Sequence, residues 1–110
     1  MPLPQIKATG LELTGAIREY VEKKTAVLER YYQHIISIAA EVDVTTRHHH
    51  KGQIYRAELN VRVPGKLIRV EKTADDLYKA IDKVKDHMAL MLKGYKEKKQ
   101  DQARRSQKQK

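Results

Sequence analysis

Residues 36–45 read ISIAAEVDVT and residues 55–65 read YRAELNVRVPG. In the first stretch Ile36, Ile38, Ala40, Val42 and Val44 alternate with Ser37, Ala39, Glu41, Asp43 and Thr45. In the second, Tyr55, Ala57, Leu59, Val61 and Val63 alternate with Arg56, Glu58, Asn60 and Arg62. A period of two places one set on each side of an extended chain, so both stretches are strands with one apolar face. Pro64-Gly65 then makes a tight turn, Pro by fixing φ and Gly by accepting positive φ, into a further strand from Leu67 to Lys72. These strands are expected to form an antiparallel meander. Its second face, with Arg56, Glu58, Arg62, Arg69 and Glu71, is mixed in charge and expected to be open to water.

On either side of the meander the period changes. Gln5 to Ala8 reads as a short first strand, ended by Thr9-Gly10. Thr14 is placed to cap a helix running to about Tyr31, because Ile17, Tyr20, Val21, Leu28, Tyr31 and Tyr32 recur at helical spacing. Lys24 falls inside that stripe, its stem along the core edge and its ammonium reaching outward. A last helix opens near Asp75 and Asp76 and runs to about Lys99, acidic at its start and basic at its end as the helix dipole favours. Leu77, Ile81, Val84, Met88, Met91, Leu92 and Tyr95 form its apolar stripe; Lys79, Asp82, Lys83, Asp86, Leu90, Lys93 and Glu97 lie opposite. The order is β-α-β-β-β-α. Two amphipathic helices and a four-stranded sheet with one apolar face satisfy one another when both helices stack on that face, a two-layer α+β sandwich. The expected domain is 1–99, followed by a basic tail, 100–110, without periodicity and disordered when unbound.

Charge narrows the function. From Lys93 to Lys110 there are eight Lys or Arg against two acids, in a chain of 110 residues whose net charge is +9. A field that concentrated steers polyanions, which makes nucleic acid the first partner to consider. One small domain leaves little room for a deep cleft. With no Cys, the chain can form neither disulfides nor a cysteine zinc site. There is no glycine-rich phosphate loop, and Asp82 and Asp86 are interleaved with lysines in the manner of surface ion pairs. The reading is a binding protein, not an enzyme, with no metal and no cofactor. His48, His49 and His50 stand in a hairpin connection, where consecutive residues on alternating sides cannot all reach one ion. The absence of a signal-type apolar run points to a cytoplasmic protein, expected to be monomeric when free and to engage no membrane and no small-molecule substrate. Phe and Trp are absent, and none of the six Tyr reads as a ring to spare for stacking on bases.

Two helix patterns carry a resemblance to a known family. Residues 20–24, YVEKK, with 28–32, LERYY, lie in the first helix, and residues 75–82, DDLYKAID, open the second. Asp86, Leu92 and residues 93–96, KGYK, continue the match, which covers roughly residues 4–99. The chain resembles the ribosome hibernation promoting factors, also called ribosome-associated inhibitors or sigma-54 modulation proteins, and by its length their short form. The resemblance implies ribosome hibernation and translation inhibition under stress or in stationary phase, by binding small-subunit rRNA in the decoding channel and blocking tRNA and mRNA. It implies rRNA-binding candidates at Lys23, Lys24 and Arg30 of the first helix and at Lys79, Lys83, Lys93 and Lys96 of the second. Val27, Leu90 and Gly94 depart from the family's basic pattern. Two other functions fit the same features: a general double-stranded RNA-binding module, whose fold is similar but lacks the first strand, and a protein-docking regulator of transcription.

Overall fold

The computed structural model describes residues 2–46 and 52–108, so His48, His49 and His50 lie outside the described residues. The elements are β1 (Gln5–Thr9), α1 (Gly15–Ala26), a 3-10 turn (Val27–Arg30), β2 (Ser37–Thr46), β3 (Gln53–Val63), β4 (Lys66–Ala74) and α2 (Leu77–Lys108). The strands lie in the order β1-β2-β3-β4. β2, β3 and β4 are antiparallel neighbours, while β1 runs parallel to β2, Gln5 beside Ala39 and Thr9 beside Asp43. Parallel neighbours need a crossover, and α1 supplies it. The turn at Pro64-Gly65 is as expected, with Gly65 at φ +83.

Both helices share the apolar face of the sheet. Ile17, Val21 and Leu28 from the first helical segment and Leu77, Ile81, Val84, Met88 and Leu92 from α2 bury against Ile38, Val42, Leu59, Val61, Ile68 and Val70. The Thr14 hydroxyl accepts from the Ile17 amide at 3.2 Å and so caps α1. At the far end of α2, Tyr95 packs on the core and donates its hydroxyl to the Pro64 carbonyl at 2.9 Å, which ties the helix to the β3–β4 turn.

Four features differ from the sequence reading. The first helix does not stay α-helical to Tyr31. The Thr25 hydroxyl donates to the Val21 carbonyl at 2.9 Å and the Glu22 carbonyl at 3.2 Å, competing with the backbone ladder, and the chain then tightens to 3-10 geometry. The tighter turn drives Leu28 fully into the core and turns Tyr31 outward. Ile36 is 54% exposed and Ile35 is buried in its place, although the Ile36 amide already donates to the Arg62 carbonyl of β3 at 2.8 Å. On α2 the buried stripe is shifted toward α1, so Ala89 is buried and Met91 is left in solvent. Lastly, α2 continues through the segment read as a structureless tail. Residues 95–108 contain neither Gly nor Pro and are rich in Lys, Gln and Arg, all good helix formers.

The outer face of the sheet is also less open than its alternation suggests. Glu58 is only 5% exposed. It lies across from Glu41 on one side and Glu71 on the other, three carboxylates in a row that would repel one another. Arg56 lies among them, 2.9 Å from Asp43, 3.2 Å from Glu58 and 2.9 Å from Glu71, while Arg69 reaches Glu58 at 2.7 Å and Asn60 donates to it at 3.0 Å. The two arginine stems cover the carboxylate they neutralise.

Removing the buried side chain that the 3-10 turn inserts, by Leu28→Ala, is expected to cost about 2–5 kcal/mol in urea unfolding. A second expectation concerns acid. Burial alone would push the Glu58 carboxyl up, but hydrogen bonds from Asn60, Arg69 and Arg56 outweigh it and hold the group below the usual glutamate range. A depressed carboxylate contributes its stability above the unfolded value of about 4.3 and loses it as pH falls through the folded one. Urea midpoints measured on the acid side should therefore fall less steeply for Glu58→Gln than for the parent.

Candidate nucleic-acid interface

The two faces of the molecule handle charge differently. On the outer sheet face Glu41, Asp43, Glu58 and Glu71 are gathered around Arg56 and Arg69, so attraction is satisfied internally. On the helical side Lys23, Arg30, Lys79, Lys83, Lys93 and Lys96 are all exposed. Lys79 to Lys96 spans roughly 25 Å of helix axis at 1.5 Å per residue. Lys79 meets Asp75 at 3.3 Å, one turn back in a solvated pair that contributes little and leaves the cation available. Lys83 donates to the Thr73 carbonyl at 3.2 Å and so leans toward β4, away from α1. The candidates thus form a spread surface, not one cluster.

Lys24 differs from the others. Its ammonium is 3.2 Å from Asp82 and 5.2 Å from the centroid of the Tyr20 ring. The Tyr20 hydroxyl donates to the same carboxylate at 2.6 Å, and the Tyr20 and Tyr78 rings meet edge to face at 4.8 Å. Asp82, read from the sequence as lying opposite the apolar stripe, instead stands in the seam between α1 and α2. Burial alone would push its carboxyl up, but the Tyr20 hydroxyl and the Lys24 ammonium outweigh it and hold the group below the ordinary aspartate range. The hydrogen bond to Asp82 in turn pushes the Tyr20 hydroxyl up to about 12. Lys24 therefore joins the helices. Lys85 is similarly withdrawn, its side chain 19% exposed and its ammonium 2.6 Å from Asp86.

At the C-terminal half of the helical side the structure brings together residues the sequence keeps apart. Ala26, Glu29, Arg30 and Gln33 line one shallow depression. Gln33 also lines the next, a groove of about 290 Å³ between Tyr32 and His34 on one side and Lys96, Lys99 and Gln100 of α2 on the other. The two depressions thus adjoin at Gln33, with Arg30 lining one and Lys96 the other. Lys99 was not among the candidates. Its signals in the sequence are its place in the basic run from Lys93 to Lys110 and its spacing of three residues from Lys96, which puts both near one side of the helix.

Residues 5–100 match the model of the family described as Sigma 54 modulation protein / S30EA ribosomal protein. The chain belongs to that family. Among its curated relatives, the ribosome hibernation promotion factor of Deinococcus radiodurans is 36% identical over 97 residues, 87% of this chain and 50% of that protein. The protein of the same name from Staphylococcus aureus (strain COL) is 30% identical over 92 residues, 84% of this chain and 47% of that protein. The chain thus spans about half the length of the curated relatives it matches. Of solved structures, the Thermus thermophilus Protein Y N-terminal domain is 38% identical with a TM-score of 0.69, over 86% of this chain and 99% of that one. A ribosomal subunit interface protein from Coxiella burnetii is 26% identical with a TM-score of 0.72, over 87% and 98% of the two chains.

Within this S30EA-family domain, Leu90 and Gly94 both lie on the exposed side of α2. Leu90 is 69% exposed on α2, an apolar side chain one turn before Lys93. Gly94 has nothing within 4 Å of an added Cβ. Among the described residues no group of three or more His, Cys, Asp or Glu is placed to hold a metal ion, and no helix is long and apolar enough to cross a membrane.

Neighbouring lysines should respond differently to charge reversal. Lys24→Glu sets a second carboxylate against Asp82 and is expected to cost about 1–2 kcal/mol after allowing for solvent screening, whereas Lys23→Glu stays within about 0.5 kcal/mol. Chemical denaturation of the two single variants distinguishes them.

Proposed function

We propose that this domain is a ribosome hibernation factor that occupies the small-subunit decoding channel, holds rRNA through its helical face, and silences translation by excluding tRNA and mRNA. The observation that carries this reading is a coincidence of place: the span that matches the family, residues 5–100, holds all the exposed candidate cations of both helices, Lys23, Arg30, Lys79, Lys83, Lys93 and Lys96. The hibernation role named in the curated relatives supports it.

The physics of such a role is modest. Occupancy requires several fixed cations at phosphates and no reading of base edges, so affinity comes mainly from counterion release. Lys23, Arg30, Lys79, Lys83, Lys93 and Lys96 supply those contacts, and Lys24 keeps the two helices in register beneath them. The core fixes the spacing. Because the ligand is displaced and not transformed, no acid, base or nucleophile is needed. The partner is a cytoplasmic particle, and the small subunit and its rRNA are the contact.

Sedimentation through sucrose gradients tests the reading. The protein is expected to travel with ribosomes at low salt and to lose on the order of a thousandfold or more in affinity between about 50 and about 200 mM salt. Lys23, Arg30, Lys93 and Lys96 changed together to Glu should abolish inhibition of cell-free translation with the circular dichroism spectrum unchanged. Undiminished inhibition refutes this surface. Recovery only in the soluble top fractions would favour docking on a regulatory protein, and equal affinity for arbitrary duplex RNA would favour a general duplex binder.

A further inference from the structure

The groove beside Tyr32 has features that phosphate contacts alone do not require. Its aromatic wall is braced from behind. The Tyr32 ring lies 5.6 Å from that of Tyr95 at 52° and 5.8 Å from that of His34 at 79°. Tyr95 is itself fixed by its hydrogen bond to the Pro64 carbonyl and by the Lys66 ammonium, 5.7 Å from its ring centroid, while Lys99, which lines the groove, has its ammonium 5.5 Å from the same centroid. Tyr32 is half-buried on this support and His34 is exposed, so both rings present surface at the groove. The sequence reading found no ring to spare because Tyr32 fell in the apolar stripe of a continuous helix. Tyr32 does pack against the core, and it is the uncovered part of its side chain that lines the groove.

The opposite wall is basic. Lys96 and Lys99 lie one turn apart on α2, and among the described residues neither forms a salt bridge. Gln33 and Gln100 bring amides that both donate and accept. At about 290 Å³ the groove is near the lower end of small-ligand sites, roughly 300 Å³, and so takes one nucleotide and not a helix. Rings, amides and paired cations around a space of that size match a base, its edge and its phosphate. A base stacked within a duplex cannot enter, whereas an unpaired one can turn out of its strand onto aromatic side chains.

We infer that the groove between Tyr32, His34, Lys96 and Lys99 captures an unpaired nucleotide of an RNA strand, its base against the two rings and its phosphate at the two ammonium groups. Gln33 and Gln100 meet the base edge. This deepens the reading of the helical face as an RNA-binding surface and rests on it, adding a single-strand contact to what backbone contacts provide.

The test uses the full chain and three probes: labelled hexa-adenylate, a short RNA duplex, and AMP. Binding is followed by fluorescence anisotropy and by amide chemical shifts of the isotopically labelled protein. Hexa-adenylate should shift amides at Gln33, His34, Lys96, Lys99 and Gln100. His34→Ala should weaken hexa-adenylate by about fivefold or more, the lower end of what losing one stacking ring costs, and leave the duplex isotherm unmoved. His34 is exposed, so this variant keeps the fold, and Tyr32→Phe, which retains a ring, should bind as the parent does. Shifts scattered over every lysine, or an unchanged hexa-adenylate isotherm in His34→Ala, overturn the groove. AMP bound as tightly as the hexamer makes it a free-nucleotide site and overturns the RNA assignment. Co-sedimentation of the parent with ribosomes separates the two readings. If it persists while the groove fails, the groove alone is lost; if it fails while the shifts stay local, the groove stands without the ribosomal role.

Discussion

Only one face of the sheet is apolar, and both helices have to lie on it. Val61, Leu59 and Val42 offer a surface that water would otherwise wet, and the stripes of α1 and α2 each need such a surface to bury. Stacking the two helices side by side satisfies all three elements at once. It also sets their outward sides next to each other, although Lys23 and Lys93 are 70 residues apart in sequence. The basic surface is thus a consequence of the core.

The seam between the helices limits how many of these cations are available. Where α1 and α2 touch, Asp82 takes the Tyr20 hydroxyl and the Lys24 ammonium together, so that cation already has a partner within the protein. The same economy governs the other side of the sheet, where Arg56 and Arg69 are consumed by four carboxylates. What remains unsatisfied is on the exposed sides of the helical segments and grows toward the C-terminal half of α2. That is the side on which a polyanion gains most, since its phosphates displace water and counterions, not existing protein partners.

Much of the fold was legible in local pattern. The alternation in residues 55–63, the capping Thr14 and the Pro64-Gly65 turn each act through neighbours a few residues away, and each appears where the pattern puts it. The errors were of another kind. The Thr25 hydroxyl tightens the helix end and Tyr31 is left exposed, off the expected stripe; Glu58 is buried by arginines from its own and a neighbouring strand; Asp82 is drawn into a seam that exists only once both helices are docked. In each case a side chain's role depends on residues distant in sequence or on a small change of helical pitch, which periodicity counts do not contain.

By itself the sequence determined the element types, the apolar faces and the concentration of positive charge toward the C-terminus, because these follow from period, propensity and composition. The tertiary structure alone decided which cations have partners within the protein, placing Lys24 in an ion pair, and it alone assembled the groove of Tyr32 and His34 with Lys96 and Lys99. The reason is that charge is a property of a residue, whereas its availability is a property of whatever the fold brings within a few ångströms of it.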